Sequence, residues 1–219
     1  MVTPSDPGTE YAIIDTRERF DNALSSLVTE SCRAWDHWTL LLHLDEAYEL
    51  YAREFYQTPA FWSTVTRSLQ DISILRIATL LDPRKDVVSV PNILRIVNIH
   101  ARGNGSKLGI ELANLDEVKI EDDIKSVHKL GPVVDKILTM RNDFLAHRSI
   151  NIVATRRINL LPELKNKEVS VMLDLLYQIA TKYAVLYGQN RTMRSMVGAD
   201  DYKTMLKALR SGFGFGDNS

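Results

Sequence analysis

The stretch "MRNDFLAHRS" at 140–149 puts an arginine, an amide and a histidine (Arg141, Asn142 and His147) into the apolar helical pattern "VVDKILTMRNDFLAHRS". With Val133 at zero and about 100° per residue, Ile137 and Phe144 fall near 40° and 20° and Met140 near −20°. Val134, Leu138 and Leu145 fall at about 100–140°, which completes one broad apolar arc. Arg141 lies near about 80°, inside that arc. His147 stands at one rim near about −40°, and Asn142 at the other near about 180°. A guanidinium inside an apolar arc is costly unless it is paired or wet. Two arrangements satisfy it. A carboxylate from a neighbouring helix pairs with it, Asp45 or Glu49 being the candidates, or the arc faces a cleft or a second subunit where an anion arrives. Asp143, four residues before His147, gives the histidine a simple helical contact.

Charge and geometry extend the second arrangement. Residues 141–157 hold four arginines (Arg141, Arg148, Arg156 and Arg157) against a single carboxylate, Asp143, a local net of +3 on a chain whose total is −1. Such a segment attracts phosphate. Arg141 and His147 are separated by about 9 Å of helical rise and about 120° of rotation, so one helix does not easily bring both onto one small atom. Two copies packed antiparallel about a twofold axis would pool two arginines and two histidines in one groove.

The elements that must position these residues are helical throughout. Residues 1–12 contain Pro, Ser and Gly and read as a flexible segment. After Asp15, Phe20, Ala23, Leu24 and Leu27 recur at helical spacing. "CRAWDHWTLLLHLDEAYELYAREF" continues as a second helix or a bent extension, with Trp35, Trp38, Leu41, Leu42 and Ala52 on one arc that also holds Asp45 and Glu49. "TPAFWSTVTRSLQDISILRIATLLD" starts with a Thr58 cap and Pro59 in the first turn, and stops at Asp82-Pro83. A shorter helix capped by Ser89 follows, then the loop "ARGNGSKLG", then a helix around 116–129. That helix is acidic at its start and carries Lys125 and Lys129 towards its end, the favourable sense for its dipole. Pro132 opens the helix that bears Arg141. "SINIVATRRINLLPELKNK" reads as an irregular connection. A strong helix then carries Val171, Leu175, Ile179, Ala180 and Tyr183, and "DDYKTMLKALR" is a last short one before the tail 211–219. The expected organisation is one all-α domain over 13–210, an antiparallel helical bundle with additional short helices.

Composition bounds the rest. Hydrophobic residues are 45% and charged residues 25% of 219, the balance of a soluble globular protein. The single cysteine, Cys32, reads as a small core residue, and no clustered Cys/His spacing suggests a metal site. "MVTPSDPGTE" lacks the pattern of a secretory signal, and no run approaches the roughly 18 consecutive apolar residues of a membrane span, so the expected location is the cytoplasm. Trp35, Trp38 and Trp62 read as core anchors rather than base-stacking platforms. His37, His43, His100 and His128 are scattered over different elements and suit structural or surface roles. "RGNGSKLG" lacks the preceding strand and following Lys-Ser/Thr of a phosphate loop.

"RNDFLAHRS" resembles the R-x(4–6)-H signature of HEPN domains, with five intervening residues and a polar Asn142 after the arginine. Three stretches in order are similar to the AbiU-type abortive-infection HEPN-like family: "AWDHWTLLLHLDEAYELY", "LRIATLLDP" and "TMRNDFLAHRS". The resemblance covers roughly residues 15–190. It implies an α-helical bundle that forms a homodimer through the motif helices, and RNA as the substrate of a metal-independent endoribonuclease without cofactor. It also admits an antitoxin or regulatory protein as partner. In that reading His147 is the general acid/base on the ribose 2′-OH or the leaving oxygen. Arg141 holds the scissile phosphate, Asn142 orients the phosphate or His147, and Arg148, Arg156 and Arg157 add weaker phosphate contacts. The same scaffold also serves as a non-catalytic module binding RNA, a nucleotide or a partner protein.

Overall fold

The computed structural model describes residues 14, 16–102, 117–142, 163–190, 198 and 200–214, and these form helices and turns with no strand among them. The helix α1, Arg17–Leu50, begins where the Thr16 hydroxyl accepts the amide of Arg19 at 3.3 Å. At 34 residues it is about 51 Å long. Phe20, Ala23, Leu24, Leu27, Val28, Ser31, Ala34 and Trp38 form its continuous buried stripe. The helix runs unbroken from Arg17 through the Trp-rich segment to Leu50, and beyond Trp38 its buried face swings round to Leu44 and Ala47. Asp45 and Glu49 do not share it: both are exposed, while Leu44 and Ala47 are buried.

The chain turns at Tyr51 into the short α2, Ala52–Gln57, and Pro59 opens α3, Pro59–Leu80. Thr58 stands at the cap position of α3, but its hydroxyl makes no capping bond. α3 returns antiparallel along α1. Leu44, Ala47, Phe55 and Trp62 cluster near the turn, and Glu30 pairs with Arg76 farther along. The other long partner of α1 is α7, Asn166–Leu186, also antiparallel. Trp38 Nε1 donates to Ser170 Oγ at 3.1 Å near one end, and Ser25 Oγ to Gln189 Oε1 at 3.2 Å near the other. α7 buries Val169, Met172, Leu173, Leu176, Ile179, Ala180 and Tyr183. Val171 lies off that face and is exposed, contrary to its place in the sequence pattern. The helix is long and apolar enough to cross a membrane, and more than half of its apolar window is buried inside this fold.

The shorter helices cover the α1–α3–α7 layer. α4 is Val90–Arg102, α5 is Glu117–Lys129 and α6 is Gly131–Thr139. α4 packs on α5, and α5 also touches α6 and α7. Lys182 Nζ and Tyr183 Oη of α7 both donate to Asp123 Oδ2 of α5, at 2.6 and 2.8 Å. Ile137 of α6 is fully buried and Met140 nearly so, while Val133, Val134 and Leu138 pack partly against the same core. α8, Asp201–Gly212, docks on a second, smaller cluster through Leu206. Arg210 of α8 pairs with Glu54, which is 1% exposed, and donates to the carbonyl of Leu50 at 2.8 Å.

Candidate functional site

The aliphatic run that ends α3 delivers Asp82 into the interior with only 2% of its side chain exposed. The connection from 82 to 89 is pinned at both ends. Ser89 Oγ donates to the Asp82 carbonyl at 2.6 Å, and Asn92 Nδ2 donates to the carbonyls of Val87, at 2.8 Å, and Arg84. Ser89 stands at the start of α4, where its carbonyl accepts the amide of Ile93. Its hydroxyl is spent on the loop rather than on capping the helix.

Arg141 meets Asp82 from the other side. α6 ends in a π turn at 140–142, a wider winding than the α-helix before it. On that turn Arg141 Nη1 donates to Asp82 Oδ2 at 2.8 Å. Its Nε donates to Asn142 Oδ1 at 2.9 Å, so the amide steadies the guanidinium from its own exposed position. The Arg141 side chain is 23% exposed, in keeping with its place inside the apolar arc. Two of its five N–H donors are engaged by described residues, which leaves three.

The same carboxylate holds a second cation. Arg84 donates its amide to Asp82 Oδ1 at 3.0 Å, and its Nε to Oδ1 and Oδ2 at 3.1 and 3.2 Å. Burial pushes the Asp82 carboxyl up, but the Arg84 amide and the two guanidinium groups outweigh it and hold it below the usual carboxylate range. Asp82 is thus ionised at neutral pH, and Arg141 is anchored by it.

Neither Asp45 nor Glu49 is the partner of Arg141; both lie exposed on α1, whereas Asp82 comes from α3, against which α6 packs. The signal for Asp82 stood in the chain as "LLDP", an acid between an aliphatic run and a helix-stopping proline. His147, Arg148, Arg156 and Arg157 lie outside the described residues, as do Phe144 and Leu145.

A cavity of about 750 Å³ opens beside Met140, walled by Trp38, Trp62, Tyr48 and Phe55, with Asp45 and Glu163 at its polar edge. Trp38 and Trp62 are each 4% exposed and anchor the two apolar clusters, and Trp35 packs partly against the larger one. His37 Nδ1 bonds the Arg33 carbonyl at 2.6 Å, His43 packs near Tyr202, His128 is exposed, and the side chain of His100 lies outside the description. Among the described residues no group of three or more His, Cys, Asp or Glu could hold a metal ion.

The family model HEPN_AbiU2, described as AbiU2, matches residues 17–207. The chain belongs to the HEPN-like AbiU2 family. The match spans all eight described helices except the last few residues of α8, so the buried Asp82–Arg141 pair lies within this AbiU2 domain. No curated protein and no solved structure matches the chain.

Proposed function

We propose that this AbiU2 protein is a metal-independent endoribonuclease of a phage-defence, abortive-infection system, acting in the cytoplasm as a homodimer. Arg141 and His147 from two motif helices would form its composite site. The observation that carries the reading is the Arg141 guanidinium, half-buried, steadied by Asp82 and Asn142, with donors left over among the described residues. A cation fixed in this way holds a phosphodiester without reorganising as charge builds in the transition state. His147 is assigned the proton transfers: removal from the ribose 2′-OH and delivery to the leaving 5′-oxygen. The 2′-oxygen bonds to phosphorus as the bond to the 5′-oxygen breaks, which gives a 2′,3′-cyclic phosphate and a free 5′-hydroxyl. Arg148, Arg156 and Arg157 would extend the contact along the RNA backbone.

The test is incubation of the purified protein with total RNA in EDTA, beside Arg141→Ala and His147→Ala. Cleavage by the wild type that both substitutions abolish supports the reading. Equal cleavage by all three removes the assigned roles.

A second reading is a non-catalytic module that binds RNA, a nucleotide or a partner protein. It is favoured by one observation: Arg141 is already satisfied by a carboxylate of its own subunit, as a structural arginine is. It expects RNA binding without turnover, weakened by Arg141→Ala and nearly untouched by His147→Ala.

A further inference from the structure

We propose that Arg84 is a second phosphate-holding cation of the RNA site and that Asp82 is the positioning residue that sets it beside Arg141. The inference rests on the RNA reading above and adds to it a residue from a different part of the chain.

The geometry is explicit. Arg141 Nη1 and Arg84 Nε bond the same oxygen, Asp82 Oδ2, at 2.8 and 3.2 Å, so the two nitrogens are at most 6.0 Å apart. Two guanidinium groups so close repel unless an anion lies between or beside them. Asp82 supplies one negative charge to two positive ones. Taken together, the exposed loop and Arg141 hold three cations, Arg84, Lys85 and Arg141, and two carboxylates, Asp82 and Asp86, a net of +1. Asp82 is matched by Arg141, and Arg84, which Asp86 also attracts, shares with Lys85 the single excess charge that a phosphate matches.

Arg84 is also placed to use that charge. Its side chain is 66% exposed, and only its Nε is engaged among the described residues, so both terminal nitrogens remain for a ligand. Its backbone is held by the Asn92 amide and by its own amide bond to Asp82. The loop is therefore fixed before any RNA arrives, which lowers the ordering cost of binding. Arg141 lies deeper, at 23% exposed. A backbone phosphate would meet Arg84 at the surface and Arg141 behind it.

The experiment is titration of the full-length protein with random-sequence single-stranded RNA 12-mers carrying 2′-O-methyl riboses, over a range of KCl. The 2′-O-methyl groups block the proposed cleavage, so only binding is read. Arg84→Ala is expected to weaken binding about tenfold and to lower the log–log salt slope by about 0.7, the value for one phosphate contact to a single strand. Arg84→Lys should restore the slope while regaining only part of the affinity, since the planar fork is lost. Arg84→Gln, which keeps the stem, should behave as Arg84→Ala. If Arg84→Ala and Arg84→Gln leave affinity and slope unchanged while Arg141→Ala reduces both, Arg84 is only a neutraliser of Asp82. The inference then fails and the RNA site stands. A weakening without change of slope also overturns it, as a loop effect. No binding by the wild type removes the RNA reading, and this inference with it.

Discussion

Asp82 and Arg141 stand 59 residues apart in the chain and 2.8 Å apart in space. The pair joins the end of α3 to the π turn that closes α6, two stretches that resemble different parts of the AbiU-type pattern. Their proximity gives the pattern a physical reason. "LLDP" supplies a buried carboxylate, and "TMRNDF" supplies the cation that makes its burial tolerable.

The pair is asymmetric, and stability should report it. Asp82→Asn leaves Arg141 half-buried without its carboxylate and frees Arg84, and is expected to cost about 2 kcal/mol, less than a fully buried pair because Arg141 is part-exposed. Arg141→Ala leaves Asp82 still held by Arg84, and should cost nearer 1 kcal/mol. Urea denaturation of the two variants measures the difference. Equal losses would mean that Arg84 contributes nothing to holding the carboxylate.

Acid should unfold the protein through its buried carboxylates. For Asp82 and for Glu54, burial raises the pKa but arginine and amide bonds outweigh it, so both folded values lie below the ordinary range. A depressed carboxylate pKa contributes stability above the unfolded value of about 4, lost as pH falls through the folded value. Melting temperature should therefore be level above about pH 5 and fall steeply below about pH 4. The Asp82→Asn variant starts lower and should fall less steeply over the same window. A wild-type melting temperature unchanged down to pH 2 would contradict these assignments.

Much of the fold was legible because helical periodicity survives in single segments. The Phe20–Leu27 stripe, the Pro59 and Pro132 openings and the burial of Ile137 and Met140 all follow from local spacing and local stops. The partner of Arg141 was not legible. Asp45 and Glu49 fall at the same helical angles as the Phe20–Trp38 stripe, but beyond Trp38 the buried face of α1 swings round to Leu44 and Ala47 and leaves both acids exposed. Which acid meets which arginine depends on how α6 packs against α3, and no periodicity within either helix encodes that. Arg84 is hidden in the sequence for the same reason, being one more charge in an exposed loop until Asp82 sets it beside Arg141.

The C-terminal helix should depend on one ion pair. Glu54 is 1% exposed and meets Arg210, whose guanidinium also bonds the Leu50 carbonyl and lies 4.5 Å from the centre of the Tyr51 ring. Arg210→Ala strands a buried carboxylate and is expected to cost about 3 kcal/mol. Glu54→Met combined with Arg210→Met should recover much of that loss, because no charge is then left unpaired. Thermal unfolding, with amide exchange over 201–212, reads both. A double variant no more stable than Arg210→Ala would assign the loss to the Leu50 and Tyr51 contacts instead.

The composite site of the proposed homodimer can be tested by mixing two inactive subunits. At helical spacing Arg141 and His147 would be too far apart to reach one small group easily, so a shared site would take its arginine from one copy and its histidine from the other. Arg141→Ala and His147→Ala should each be inactive alone. Unfolded together and refolded, half of the dimers would be mixed, and each would hold one intact arginine–histidine combination out of two. Cleavage should then return to about a quarter of the wild-type rate, provided sedimentation shows dimers. Activity that stays at the level of the separate variants would place the arginine and histidine of each site in the same subunit, and the twofold groove would lose its chemical role.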